Sequence, residues 1–276
     1  MAENHYDIIC IGTGITGLYF GYKSILSNKR ILFLEKDNRV GGRIKSASLD
    51  NSQYWAEGCA TRFFIGNSST DPLQSDNYVF NLLQDLSIDY TTVSNELIQT
   101  NTSYTKVVDQ LFKLYPGLLD SYSKLSLPTV LELLGYSSKK FANNSGYQVM
   151  LEPMNLNIAL RSFEKFSSDT QNIINGGYEN VCQEIYNKIK NVHTFKFNEQ
   201  VIKIDYDGKY IINDKYITKK ILFTGTIDQL NKIMIDIDHL SDLKKKLVDK
   251  YFNYRAIRIY LKINNPWWTD KELFKR

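Results

Sequence analysis

The sequence predicts an α/β fold: a doubly wound parallel sheet carrying a β-meander, joined to an α+β portion. Three observations predict it. The apolar run Tyr6–Ile11 is followed at once by a glycine-rich turn and a segment of helical spacing. A second apolar run, Arg30–Leu34, completes a strand–helix–strand unit within about 30 residues. Near residue 200 the texture changes to short strands around an Asp207-Gly208 turn.

The elements follow in order. Tyr6–Ile11 is almost purely apolar, which suits a strand buried on both faces. Ile15 to about Ser27 carries Leu18, Tyr19, Tyr22 and Leu26 at helical spacing, and Asn28-Lys29 ends it. Arg30–Leu34 is the second strand, and Lys36–Arg43 a loop with two adjacent glycines. A helix is predicted from Asp76 to Ser87, with Asp76 as N-cap and Val79, Phe80, Leu82, Leu83 and Leu86 as its buried face. Residues 88–175 read as mostly helical with polar breaks, and within them Pro128 opens a short helix that Gly135 closes. Gly176-Gly177 precede a helix from Tyr178 to about Lys190. Val192–Phe197 and Val201–Tyr206 read as strands, Asp207-Gly208 as a hairpin turn, Lys209–Ile212 as the returning strand and Lys220–Thr224 as one more. Residues 228–252 are helical in tone, and Arg255–Ile263 alternates before Pro266-Trp267-Trp268.

Composition narrows the function classes. A chain of 276 residues is long enough for about two domains. Its 43% hydrophobic and 13% aromatic content excludes intrinsic disorder. The net charge of +4 is scattered; Lys244-Lys245-Lys246, the densest cluster, reads as a solvated helix face. Charge therefore gives no support to a nucleic-acid or membrane partner. Cys10, Cys59 and Cys182 form no CxxC pair, no apolar leader follows Met1, and no run approaches about 18 apolar residues. A cytoplasmic protein is expected. The histidines His5, His193 and His239 are isolated; each reads as a surface or strand residue rather than a ligand or base, and no metal spacing is present.

The chemistry-bearing motif lies at the N-terminus. Gly12, Gly14 and Gly17 make GxGxxG between a strand and a helix, the Rossmann-like arrangement. The first glycine permits the tight turn, the second lets a pyrophosphate approach the backbone, and the third lets helix and strand pack closely. The helix start at Ile15 and Thr16 then offers free N–H groups to phosphate. Glu35, followed by Lys36, ends the second strand about 20 residues on, where a carboxylate accepts hydrogen bonds from ribose hydroxyls and disfavours a 2′-phosphate. Gly41 and Gly42 let a second backbone stretch lie against the dinucleotide, and Arg43 reaches a phosphate or flavin edge. That second clamp selects FAD over NAD; by themselves the paired glycines are also consistent with a plain turn.

The chain resembles the flavin-containing amine oxidases, which include monoamine, polyamine and L-amino-acid oxidases. Four stretches carry the resemblance: Gly12–Gly17 with Glu35; Gly41-Gly42-Arg43; Glu57-Gly58 running to Arg62-Phe63; and Gly176–Val181 with Gln200–Ile204 and Lys220–Gly225. The resemblance implies an FAD domain over about 1–65 and 172–230, and a substrate domain over 66–171 and 231–276. It implies that Glu57 and Gly58 stand beside the flavin and that Val201 packs on the adenine side. It implies oxidation of a C–H next to an amine by hydride transfer to flavin N5, with oxygen as acceptor and a small amine or amino acid as substrate. Arg62 would pair with a substrate carboxylate; a structural ion pair is the alternative. Arg258 stands where the family has a lysine that holds a water at the flavin, with Arg255 and Lys262 as alternative registers. The family's late Gly-Asp element has no counterpart, so the chain reads as truncated at its C-terminus with an incomplete substrate domain. Two other readings stand beside the oxidase: a non-catalytic flavin-binding remnant, and a related flavoprotein acting on a non-amine.

Overall fold

A computed structural model describes residues 4–48, 55–61, 63, 77–94, 122, 124–139, 156, 170–250 and 258–261. They fall into two compact units, one drawn from 1–60, 176–237 and 255–276, the other from 61–175 and 238–254.

The first unit is built on a seven-stranded sheet. Strands β1 (His5–Ile11) and β2 (Ile31–Leu34) flank helix α1 (Ile15–Lys23), which a 3-10 turn at Ile25–Ser27 extends. Strands β3 (Ser46–Ser48) and β4 (Trp55–Glu57) form a separate antiparallel pair. Further along the chain come a helix (Tyr178–Ile189), β7 (Thr194–Lys196), β8 (Lys203–Tyr206), β9 (Tyr210–Ile212), β10 (Tyr216–Phe223), a short helix (Ile227–Asn231) and β11 (Met234–Ile235). The strand order is β11-β8-β9-β10-β1-β2-β7. Strands β10, β1, β2 and β7 run parallel, and β8–β9–β10 form the antiparallel meander. The predicted sheet class therefore stands.

The apolar runs explain the centre. All four residues of β2 are buried, and Cys10, Ile31 and Phe33 form a core cluster with Phe20, Phe195 and Leu222 packed against it. Helix α1 reaches this layer because Gly21 has no side chain. A Cβ there would lie 2.8 Å from both Phe33 Cζ and Ile189 Cδ1. His193, expected on the surface or in a strand, lies one residue before β7 and is not on the surface. It is buried at the end of the Tyr178–Ile189 helix, with its Nε2 3.0 Å from the Gly21 carbonyl, so that nitrogen donates. Its hydrogen-bonding anchor lies 172 residues away and leaves no local sequence trace.

The meander turns are set by left-handed residues. Gly208 (φ +67°) lies in the Tyr206–Tyr210 hairpin, and Asn213 and Asp214 (φ +52° and +54°) are the central residues of the turn, closed by Lys215 N on Ile212 O, that leads into β10. That second turn starts β10 at Tyr216, four residues before the predicted strand. The helical reading of 228–252 holds on either side of β11, which interrupts it by pairing in parallel with β8; a helix follows at Asp238–Lys250. At Arg258–Leu261 the backbone is not a strand; the rest of the predicted 255–263 strand lies outside the described residues.

In the second unit, α2 (Asn77–Asp85) buries Leu82 and Leu83, with Leu86 and Ile88 just beyond. Its predicted N-cap, Asp76, lies outside the described residues. The short helix Leu127–Leu133 opens on a Ser126 N-cap and stops before Gly135 (φ +80°), as the Pro128…Gly135 spacing predicts. The mostly helical reading of 88–175 is corrected at its two ends. There, β5 (Tyr90–Ser94) and β6 (Thr170–Ile174) pair antiparallel across about 80 residues of sequence. Both strands are only five residues long; β5 carries strand-favouring Tyr, Thr and Val, but its partner lies too far along the chain to show in the local pattern.

Candidate dinucleotide site

The site begins where β1 and β2 end side by side. The turn after β1 is pinned from three directions. Gly12 N donates to Leu34 O at 2.9 Å, and Thr224 Oγ1 donates to the Ile11 and Gly12 carbonyls at 3.0 and 3.1 Å. Thr13 donates both its N–H and its hydroxyl to Glu35 Oε2, each at 2.8 Å. The three glycines differ in what surrounds them. Gly12 has φ +104°, a conformation glycine adopts freely. A Cβ on Gly17 would run into the Gly12 carbonyl, so this glycine makes the helix fit. A Cβ on Gly14 would meet nothing within 4 Å: it would project into open space.

The second glycine stretch lies against the first. Gly41 N donates to Thr13 O at 2.9 Å, Gly14 and Gly41 form a parallel bridge, and a Cβ on Gly42 would stand 3.2 Å from Gly14 Cα. Two backbone segments thus meet at van der Waals distance because neither carries a side chain there. Beside them opens a cavity of about 570 Å³, within the range of small-molecule and cofactor pockets. Gly12, Gly14, Ile15, Thr16, Glu35, Lys36, Gly41, Gly42, Arg43 and Val201 all line it.

The comparisons bear on this geometry. Residues 10–85 match the NAD(P)-binding Rossmann-like domain family. No curated protein matches the sequence. Among solved structures, a triple mutant of putrescine oxidase from a redesign of cofactor binding superposes with a TM-score of 0.58 at 14% identity. A single mutant from the same redesign gives 0.60 at 13%, and the wild type bound to putrescine 0.56 at 14%. Each alignment covers 84% of this chain and 60% of the other. The chain shares the fold of putrescine oxidase. It spans 60% of that protein's length, and the glycine-rich portion is a dinucleotide-binding fold.

Within this putrescine oxidase-like fold, the remaining candidate residues take other positions. Gly17 is buried beneath the turn rather than lining the cavity. Glu57 and Gly58 do not line it either. The Glu57 carboxylate accepts from Tyr178 N at 3.0 Å and from Ser46 Oγ at 2.7 Å, which caps the Tyr178–Ile189 helix. Gly58 N donates to Lys45 O at 2.7 Å. Arg258 donates to the Glu57 carbonyl at 3.3 Å beside Tyr260, whose hydroxyl donates to the same oxygen at 2.6 Å. Arg62, Arg255, Lys262, Trp267 and Trp268 lie outside the described residues.

Glu199 had no motif to announce it, and Phe223, Thr224 and Cys59 lie in stretches that carry the resemblance, which assigns them no role. Glu199 lines the cavity and accepts from the Tyr216 hydroxyl at 3.1 Å and from Lys215 Nζ at 3.4 Å. Burial raises the Tyr216 hydroxyl above its ordinary pKa. Phe223 and Thr224 line the cavity at the end of β10, with Thr224 directly against Gly12. Their available signal was the Phe-Thr-Gly-Thr run ending an apolar strand. Cys59 also lines the cavity and is exposed, whereas burial pushes the Cys10 and Cys182 thiols up to about 12. Among the described residues, no cluster of His, Cys, Asp and Glu could hold a metal, and no helix is long and apolar enough to cross a membrane.

Proposed function

We propose that the chain binds FAD in the glycine-lined cavity and acts as an oxidoreductase on a small amine or amino acid. One observation carries this reading. The Gly41-Gly42 backbone is bonded onto the Gly12–Gly17 turn, and the space a Gly14 side chain would fill is open cavity. Two side-chain-free backbone stretches beside one groove suit a pyrophosphate, which needs close approach and free N–H donors. Among the described residues the Arg43 guanidinium has no partner, and it is free to meet a phosphate. Glu35 supports the same ligand. Its Oε2 fixes Thr13 and its Oε1 accepts from Asp37 N at 3.0 Å, so the carboxylate is held on the cavity wall, where it would meet a ribose. Val201 lines the cavity beside Glu199 and offers an apolar surface to the adenine. Bound FAD would accept a hydride at flavin N5 from a C–H next to an amine, with oxygen as the final acceptor.

The placement of Arg258 favours a second reading, in which the chain holds FAD without oxidising an amine. Its guanidinium is bonded to the Glu57 carbonyl rather than facing the cavity. Absorbance separates the two. Full-length protein reconstituted with FAD should show a bound-flavin spectrum that bleaches when putrescine or an L-amino acid is added without oxygen. A bound spectrum that no amine or amino acid bleaches selects the second reading. Protein that takes up no FAD removes both.

A further inference from the structure

The loop that carries Gly41, Gly42 and Arg43 is wound around a single side chain that no motif singles out. Arg39 Nη1 donates to the Val40 carbonyl at 2.9 Å and to the Ile44 carbonyl at 3.1 Å, and Nη2 donates to the Gly42 carbonyl. Three carbonyls of one six-residue loop therefore turn toward one guanidinium. The head is held from outside by Glu179, whose Oε1 lies 3.5 Å from Nη1. Glu179 is itself fixed. Its Oε2 accepts from Ser46 N at 3.0 Å, and its own N donates to Ser46 Oγ at 3.0 Å. The amides of this loop behave differently from its carbonyls. Gly41 N is taken by Thr13 O and Ile44 N by Gly41 O, while the Gly42 and Arg43 amides have no acceptor among the described residues. Both of those residues line the cavity.

We infer that Arg39 is a positioning residue for phosphate binding. By drawing the Val40, Gly42 and Ile44 carbonyls to itself, it leaves the Gly42 and Arg43 amides for an anion and keeps carbonyl oxygens away from it. A guanidinium suits this task because its planar fork offers five donors in fixed directions, which a lysine ammonium does not. The ligand class is a dinucleotide or nucleoside diphosphate, recognised through its pyrophosphate, so the inference rests on the dinucleotide reading of the cavity.

The test compares two ligands that differ in phosphate. Full-length wild type, Arg39→Met and Arg39→Lys are titrated with ADP and with adenosine, using ligand-observed NMR to read weak binding. Arg39→Met should weaken ADP binding roughly ten- to a hundredfold, the range for losing hydrogen bonds to a charged group, and leave adenosine binding unchanged. Arg39→Lys should recover part of the ADP affinity. Equal ADP affinity in wild type and Arg39→Met overturns the inference, and so does an equal loss of ADP and adenosine, which marks general loosening. If Arg39→Met does not fold, Arg39→Lys decides, and wild-type ADP affinity in that variant overturns the inference. Wild type that binds neither ADP nor FAD defeats the cavity reading itself, a result distinct from wild type that binds while the variants match it.

Discussion

Two clusters of candidate residues in the first unit had different fates. The glycines at 12, 14, 41 and 42 converge on one cavity, with Glu35, Arg43 and Val201 around it. Glu57 and Arg258 also come together, but around a helix start and a backbone carbonyl. The difference lies in what each motif encodes. A glycine specifies an absence, space that backbone or ligand can occupy, and that meaning survives in almost any surroundings. A carboxylate or guanidinium specifies only a capacity to bond. Its partner is chosen by whichever donor or acceptor the fold brings near, and for Glu57 that is Tyr178 N, 121 residues away.

The largest effects are expected within the glycine motif itself. Gly17→Val should cost about 3 kcal/mol or more of stability, because its Cβ collides with the Gly12 carbonyl in a close-packed turn. Gly14→Val should fold normally and lose FAD binding, since its side chain enters open cavity. Thermal melts and flavin uptake separate the two, and a destabilised Gly14→Val would mean that the open space is structural.

The other cluster should respond in the opposite sense. Glu57→Ala removes the acceptor for Tyr178 N and Ser46 Oγ, and should lower stability by about 2 kcal/mol while FAD affinity in the folded protein is kept. A urea titration with and without FAD reads both quantities. A large affinity loss would return Glu57 to the cofactor site. Smaller still is the contrast between two arginines. Arg43→Ala should weaken FAD binding about tenfold, the size of one charge-assisted contact. Arg258→Ala should leave that affinity unchanged, because it bonds outside the cavity.

The buried thiols make stability depend on pH. Cys10 and Cys182 hold their protons to about 12 when folded, against an ordinary value of 9.0. The folded state therefore binds more protons than the unfolded state between these values, and stability should fall as pH rises from about 9 toward 12. Urea midpoints at pH 8 and pH 10 check the direction. At pH 8 a thiol reagent should modify Cys59 alone in the folded protein, and bound FAD should slow that reaction because Cys59 lines the cavity.

Much of the fold was legible because its signals are local. The strand–turn–helix–strand unit announces itself by two apolar runs and three glycines, and Asp207-Gly208 marks its hairpin directly. Less local features were misread. Strands β5 and β6 are short and far apart in sequence, and β11 is two residues long inside a helical texture. Each exists because a partner strand supplies its hydrogen bonds, and periodicity carries no record of the partner.

The sequence alone determined the sheet class, the glycine cradle and the placing of Glu35 at its rim, because each follows from residue size and spacing over a few tens of residues. Tertiary structure alone decided that Glu57 caps a helix, that His193 is buried against Gly21, and that Arg39 gathers the carbonyls of the second glycine loop. The physical reason is the same in all three. A polar side chain must satisfy its hydrogen bonds with whatever lies within about 3 Å, and only the folded chain determines what that is.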